Sequence, residues 1–420
     1  MRFSTLAPAA VLLLLAPAPG PADAAPAGDC GGLPRMAVTT APGFCLGLAA
    51  DRLNAPRGLL ALANGDVLVA DMGSWEPGHG TIRLLRRTGR GYTATRLFER
   101  LDRPNSLALG PDGKVYVGMV GRVARFAPGD AQPVLADVIG GTSGVAALPG
   151  RGRHLLPSIL FDRKGNLVVG VGSASDHCEN DEGTMAPGAV CTERNGPGGL
   201  GVIRRYAMRW PDGQARQWEV LARGLRNSMA LAIDPRSGAL WQGENARDAI
   251  HAAMPALKND DELPHDELNA IVRGADYGWP YCYDDGVPSP EYPAADCRRA
   301  RAPVRLLPAH AAPLGMTFYT GSQFPAAFAH SLLITYHGYR KHGHRVVALL
   351  DHGKEGPLGA SVTLVSGERK SGKSGKAGKS GKTGMGLGAP AGIATAPDGS
   401  VFISDDRAGI VARLVHEGER

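Results

Sequence analysis

The sequence predicts an all-β protein, a six-bladed β-propeller with four-stranded antiparallel blades. The 420-residue chain contains 58 Gly and 32 Pro, yet 43% of its residues are hydrophobic, so it is turn-rich without being disordered. Short alternating apolar runs bounded by Gly, Pro, Asn and Asp outnumber helical periodicities. One hairpin pattern also recurs six times along the chain.

The repeated pattern consists of a small or polar start, an alternating strand, a turn and a second strand. Its copies begin at Pro56, Pro104, Leu156, Arg226, Pro313 and Pro390. Five copies have a turn glycine, namely Gly65, Gly113, Gly165, Gly238 and Gly399, and the fifth copy along the chain has a longer turn. Repeats of roughly 40 to 50 residues with four strands each are typical of propellers. A two-sheet sandwich would not need the same hairpin six times.

The N-terminal residues 1–24 are predicted to be a signal peptide. Arg2 is followed by an apolar run from Ala9 to Leu15, and Ala22-Asp23-Ala24 fits a small-x-small cleavage site. A membrane anchor is the alternative, but the run is too short to cross a bilayer. We therefore expect a secreted, periplasmic product without stable membrane insertion. Residues 25–420 are expected to form one propeller domain with a disordered Lys/Gly-rich insert at about 366–389.

The six cysteines form three near pairs in the sequence: Cys30 with Cys45, Cys178 with Cys191, and Cys282 with Cys297. Local spacing and an oxidising compartment favour these pairings as disulfides. A zinc site is disfavoured because no CxxC spacing occurs.

The formal charge of +6 does not indicate a nucleic-acid partner. Most of it lies between Gly367 and Gly384, where six basic side chains accompany one acidic one. The same tract matches a phosphate-binding loop pattern, but the Gly-rich residues that follow cannot form the helix that such a loop opens.

Residues that precede or end the repeated hairpins are predicted to line one mouth of the propeller channel. This set comprises Asn105, His154, Arg226, Asn227, Glu244, Asn245 and His337. His154 could act as a general base, and Arg226-Asn227 offers a cation with an amide donor. The alternative for His154 is an ordinary loop histidine. A surface role is expected for Asp176, His177 and Cys178 in the disulfide loop, and a polar loop for His337, His342 and His344.

A cluster of carboxylates follows Glu244 and includes Asp260, Asp261, Glu262, Asp266 and Glu267. Oxygen ligands beside the compact turn from Gly274 to Pro280 predict a hard cation. The alternative is a solvated acidic loop. Tyr339, Arg340 and Lys341 are candidates to reach an anionic ligand.

Several segments resemble the soluble glucose dehydrogenase and sorbosone dehydrogenase family. They are RNSMALAIDP, GENARD, DELNAIVRGADYGWPYC, PLGMTFYTGSQFP, ITYHG and PAGIATAPDGSVFISDD. The resemblance covers roughly Pro56 to Leu414 outside the Lys/Gly tract. Its members are six-bladed propellers that use pyrroloquinoline quinone (PQQ) with calcium. Their glucose-oxidising members place arginines just before the last inner strand, where this chain reads GLGAPAG.

The resemblance implies roles for individual residues. His154 would take the sugar hydroxyl proton as hydride passes to the quinone, and Arg226 and Asn227 would contact the quinone oxygens. Arg340 or Lys341 would stand in for a cofactor-binding lysine, and Asn105 would complete the cofactor site. One calcium would be held by Glu244 with the backbone oxygens of Asn245 and Ala246, and a second by Asp266 and Glu267.

The sequence as a whole predicts a secreted PQQ- and calcium-dependent dehydrogenase that oxidises an aldose or sugar aldehyde. The electrons would pass to a quinone or a small redox protein, because no dinucleotide-binding fingerprint is present. Two alternatives stay open. One is a calcium-dependent lactonase or esterase, and the other is a non-catalytic propeller that binds a glycan or a protein.

Overall fold

The computed structural model describes residues 28–89, 91–180, 190–196, 199–367 and 387–418. The expected signal peptide lies outside the described residues. So does most of the Lys/Gly-rich insert, of which residues 368–386 are not described.

Six antiparallel sheets arranged as blades confirm the predicted six-bladed propeller. Each copy of the repeated pattern supplies the first two strands of one sheet. The five predicted turn glycines all have positive φ, between 71° and 86°. Four short strands precede the first blade: β1 (Asp29–Cys30), β2 (Leu33–Pro34), β3 (Thr39–Thr40) and β4 (Phe44–Ala50).

The first three blades form from contiguous segments. The first contains β5 (Pro56–Ala61), β6 (Val67–Asp71), β7 (Gly80–Thr88) and β8 (Gly91–Leu101). The second contains β9 (Ser106–Leu109), β10 (Val115–Met119), β11 (Arg122–Phe126) and β12 (Ala136–Ile139). The third contains β13 (Ser158–Phe161), β14 (Leu167–Val171), β15 (Val202–Arg209) and β16 (Gln214–Arg223), with the short helix α1 (Thr192–Asn195) between β14 and β15.

The last three blades follow in chain order. The fourth contains β17 (Ala230–Ile233), β18 (Leu240–Glu244), β19 (Asp266–Ala270) and, after a hairpin of β20 (Cys282–Tyr283) and β21 (Val287–Pro288), β22 (Arg305–Leu307). The fifth contains β23 (Pro313–Phe318), β24 (Leu332–Tyr336), β25 (Arg345–Leu349) and β26 (Ser361–Ser366). The sixth contains β27 (Pro390–Thr395), β28 (Val401–Asp405) and β29 (Ile410–His416). Single 3₁₀ turns occur at Ile250–Ala253, Cys297–Arg299, Ala326–Phe328 and Gly353–Glu355.

The N-terminal strands close the ring. The outer strand of the sixth blade is β4, which pairs with β29 in the register Leu46 to Leu414, and β3 adds a fifth strand to the fifth blade. The disulfide between Cys30 and Cys45 ties the first residues to β4. The sixth sheet therefore combines both ends of the described chain.

The inner strands approach one another closely around the axis, which explains the small residue near the start of each repeat. A Cβ on Gly392 would lie 2.0 Å from the backbone oxygen of Arg57, and one on Gly315 would lie 2.3 Å from that of Ala391. Any larger side chain at these two positions would push neighbouring blades apart.

Apolar side chains fill each interface between adjacent blades. Between the first and second blades, for example, Leu68 and Ile82 pack with Val117 and Phe126, and all four are fully buried. Burial of such a side chain stabilises the fold by about 1.5–3 kcal/mol.

The three predicted disulfides are confirmed, and they join Cys30 to Cys45, Cys178 to Cys191 and Cys282 to Cys297. Among the described residues, no helix has the length and apolarity needed to cross a bilayer.

Candidate active site

A cavity of about 480 Å³ opens at the mouth where the inner strands begin. Several residues predicted for the site line it together: His154, Arg226, Asn227, Asn245, Ala246, Asp266, His337 and Arg340. Asn105 lies in a narrower channel beneath the cavity, and its amide donates to the backbone oxygen of Pro157 (2.9 Å). Lys341 lies apart from the cavity, and its ammonium contacts Glu262 at 2.7 Å.

Ser173 fixes the ring of His154. The Oγ of Ser173 donates its one hydrogen to the backbone oxygen of Ser175 (2.6 Å), so it can only accept from His154 Nδ1, which is 2.9 Å away. His154 Nδ1 therefore carries the proton, and Nε2 has a free lone pair. Burial, followed by the positive charge of Arg226, lowers the pKa of His154 well below its ordinary value of 6.5. The imidazole is accordingly a neutral base at neutral pH.

Arg226 is buried and held by several acceptors. Its guanidinium donates to the backbone oxygens of Asp176 (3.1 Å) and Asn245 (2.9 Å) and to the carboxylates of Asp176 and Asp248. These contacts use four of the five guanidinium N–H groups, which leaves one for a ligand.

The expected surface role of Asp176 is wrong. Its side chain is only 4% exposed because the disulfide loop folds inward against Arg226. Trp279, from the compact Gly274 to Pro280 turn, also donates to the backbone oxygen of Asp176 (3.0 Å). The third and fourth blades thus meet behind the Arg226 guanidinium.

Glu244 shares a structural role with two carboxylates elsewhere in the repeat. Its Oε1 accepts the backbone N–H of Asn227 (2.9 Å), just before the inner strand of its own blade. Asp71 accepts the N–H of Ala55 (2.8 Å), and Asp405 accepts that of Ala389 (2.8 Å), in the same way. A carboxylate at the end of the second strand therefore fixes the entry to the inner strand in three blades. The side-chain amide of Asn227, which lines the cavity, has no hydrogen-bond partner among the described residues.

Two of the five predicted metal-binding residues lie together. Glu244 and Glu267 are opposite each other on β18 and β19, and both line a small cavity of about 30 Å³. Burial raises the pKa of Glu244 to about 7. Burial, together with the charge of Glu244, raises the pKa of Glu267 well above its usual range. Nearby, Asn269 Oδ1 is buried without a hydrogen-bond partner in the described part of the chain. The two facing carboxylates are suited to one hard cation, and Arg226 and Arg247 also line the same cavity.

Asp266 and Glu267 are not brought together, because adjacent residues of a strand point to opposite faces. Asp266 faces the mouth cavity, where its oxygens accept the N–H groups of Ala246 (2.8 Å) and Ala312 (2.6 Å). Burial raises the pKa of Asp266 to about 7 in spite of these bonds. The backbone oxygen of Asn245 is already an acceptor for Arg226.

Arg57 also lines the cavity, and the sequence analysis did not predict it as a site residue. Arg57 contacts Asp406 at 2.7 Å, and Asp406 contacts His337 Nε2 at 3.0 Å. The polar loop expected for His337 is wrong for this residue, which is buried. Arg57 has the same position in its repeat as Asn105 and Asn227, so the repeat itself could have identified it.

Comparison with known proteins confirms the resemblance. Residues 147–338 match the Glucose / Sorbosone dehydrogenase family model. The matched residues span the third and fourth blades and the first two strands of the fifth. They include His154, Arg226 and Glu244, whereas Arg57 and Arg340 of the cavity lining lie outside them.

Two solved structures share the fold. The holo form of the pyranose dehydrogenase PQQ domain from Coprinopsis cinerea is 19% identical, covers 92% of this chain and 99% of that chain, and has a TM-score of 0.68. The calcium structure of the Carbohydrate-Active Enzymes Family AA12 protein from Trichoderma reesei is 20% identical, covers 91% and 98%, and has a TM-score of 0.67. At this identity the likeness concerns the fold. An uncharacterized protein of Borreliella burgdorferi is 26% identical over 212 residues, which span 49% of this chain and 50% of that protein.

Proposed function

We propose that the protein is a PQQ-dependent dehydrogenase that oxidises an aldose or sugar aldehyde. The observation that carries this proposal is a neutral His154, fixed by Ser173, at the edge of a cavity that Arg226 also lines. The cavity volume of about 480 Å³ is within the range of ligand pockets. Four arginines and two aspartates line it, namely Arg57, Arg153, Arg226, Arg340, Asp248 and Asp266. This balance favours a planar, anionic cofactor.

His154 Nε2 would accept the proton of the sugar hydroxyl. PQQ, when bound, supplies the acceptor for the hydride that leaves the same carbon. Ser173 keeps the proton on Nδ1 and the ring in position, which prevents the wrong tautomer from facing the substrate. Arg226 and Asn227 would hold the quinone oxygens, with the free N–H of Arg226 and the free amide of Asn227 as donors. Arg340, although paired with Asp260 (2.6 Å), would face an anionic edge of the cofactor.

We further propose a calcium ion at Glu244 and Glu267. These carboxylates line a small cavity separate from the mouth, which supports a structural role for the cation. By holding Glu244 in place, the ion would fix the Asn227 backbone that precedes the inner strand of the fourth blade.

Export to an oxidising compartment is also proposed, and the periplasm is the expected location. Three disulfides support it, because such bonds persist mainly outside the cytoplasm. Electrons would then leave to a quinone or to a small redox protein.

The test is to incubate the purified protein with PQQ and calcium and to measure dye reduction with a panel of aldoses. His154→Ala should abolish turnover while the Kd for PQQ changes little, because His154 moves the substrate proton. His352→Ala, on an exposed loop, is the matched control and should behave as the wild type. If the wild type fails to bind PQQ, the proposal is refuted. Lactone or ester turnover without PQQ would instead favour a calcium-dependent hydrolase.

A further inference from the structure

Arg57 has more hydrogen-bond donors than its surroundings satisfy. It is 7% exposed, and it lines both the mouth cavity and the channel below. Within the part of the chain that the structure describes, Asp406 is its one ionic partner, and Nε is buried without a hydrogen-bond partner. Leaving the Nε–H group unpaired in a buried position is unfavourable. The side chain can therefore donate a further hydrogen bond to an acceptor in the cavity.

The surroundings of Arg57 hold the guanidinium in place. Burial opposes ionisation of Asp406, but a hydrogen bond from His337 and the charge of Arg57 outweigh it and keep the pKa of Asp406 low. The ring of Trp75 lies 5.8 Å from the guanidinium carbon. The backbone oxygen of Arg57 accepts from Ser404 Oγ (2.5 Å), which attaches this strand to the sixth blade. The guanidinium is thus oriented before any ligand binds.

Arg57 lies beside the inner strand before which the resemblance implied arginines that this chain lacks. The residues before the last inner strand read GLGAPAG and carry no charge. A Cβ on Gly392 of that strand would touch the backbone oxygen of Arg57, so the two inner strands are in direct contact. The cation that lines the cavity on this side of the mouth therefore comes from the first blade.

We propose that Arg57 anchors a carboxylate group of the molecule that binds in the mouth cavity. A planar guanidinium with free N–H groups matches a carboxylate in a paired geometry. One source of that carboxylate is PQQ, which rests on the proposed function. The other source is an acidic sugar such as a hexuronate, which presents the same chemical group.

Two binding titrations distinguish these sources. PQQ is titrated into the full-length protein with calcium and followed by quenching of tryptophan fluorescence. Galacturonate is titrated calorimetrically into the protein without PQQ, with galactose as the uncharged comparison. Arg57→Gln should raise the Kd of the carboxylate ligand about ten- to a hundredfold, as expected for loss of a charge-assisted hydrogen bond. Arg57→Lys, which keeps the charge but not the planar fork, should raise it at least about threefold.

The matched control is Arg96→Gln, which removes the same charge from an exposed position on β8 of the same blade, outside the cavity lining. It should change either Kd by less than about twofold. Thermal melting checks that each variant is folded, and Arg57→Lys serves if Arg57→Gln is not. If PQQ binds equally well to wild type and to the folded Arg57 variant, and galacturonate binding is also unchanged, the inference is refuted while the proposed function stands. If PQQ does not bind but galacturonate binding depends on Arg57, the proposed function fails and the carboxylate site stands.

Discussion

The ion pair between Arg226 and Asp176 gives the sharpest test of how the site is built. Both side chains are about 95% buried, and the guanidinium also donates to the backbone oxygens of Asp176 and Asn245. Replacing Arg226 with Met removes all of these contacts and leaves the Asp176 carboxylate buried. Asp176 would keep the N–H of Asp248 (3.1 Å) and the contact with His177 Nδ1 (3.4 Å), but it would lose its guanidinium partner.

The expected magnitude follows from that geometry. Breaking a buried ion pair by removing one partner costs about 3–5 kcal/mol of stability. Arg226→Met leaves the Asp176 carboxylate buried without its cation, and Asp176→Asn removes that carboxylate charge. The double variant should therefore lose less free energy of unfolding than the two single variants lose in total. We expect a coupling of about 2 kcal/mol or more. The pair Arg236 and Asp351, joined at 2.9 Å on the surface, is the matched control, with an expected coupling below about 1 kcal/mol.

The measurement is a double-mutant cycle from urea denaturation at pH 7. The pKa of Asp176 is lowered in the folded protein, because hydrogen bonds and the charge of Arg226 outweigh the opposing effect of burial. Its contribution to stability is therefore complete above the unfolded pKa near 3.8 and is lost only as the pH falls through the lower folded value. A loss below about 1 kcal/mol for Arg226→Met, or a coupling equal to that of the surface pair, would refute this account.

Two further predictions concern catalysis and ring closure. Burial and the charge of Arg226 lower the pKa of His154, so kcat/KM should rise with pH through a limb that lies below pH 6.5. A pH profile of kcat/KM measures this limb, and a limb at or above pH 6.5 would contradict the role of His154 as the base. Leu46→Ala in β4 should destabilise the protein by about 2–5 kcal/mol in a denaturant titration, since the side chain is fully buried in the sixth blade. Leu306→Ala on the exposed face of β22 is its control, and equal effects of the two changes would argue against closure through β4.

The ring of six blades could be predicted because its signal is local. Each hairpin has a small residue near the axis, and five of the six have a turn glycine, so the pattern is visible within about twenty residues. The closure could not be predicted in this way. The partner of Leu46 is Leu414, and no local periodicity indicates a pairing over that separation.

The site residues that could be predicted are those whose place at the channel mouth is set by their position in the repeat. His154, Arg226 and Asn227 all precede inner strands, and they line one cavity. The burial of Asp176 depends instead on how a disulfide loop packs against the next blade, which residue types do not indicate. Arg340 and Lys341 are neighbours with the same charge, and only the direction of each side chain separates the residue that lines the cavity from the one that does not.

The pairing of β4 with β29 also imposes an order of assembly. Each of the first four sheets is built from one continuous stretch of the chain, whereas β3 and β4 must wait for β26 and β29. Until then β4 exposes an unpaired strand edge and apolar side chains, which is the kind of surface that recruits other chains. Closure of the ring is thus the last step of assembly. Before this step the chain is most prone to misassembly.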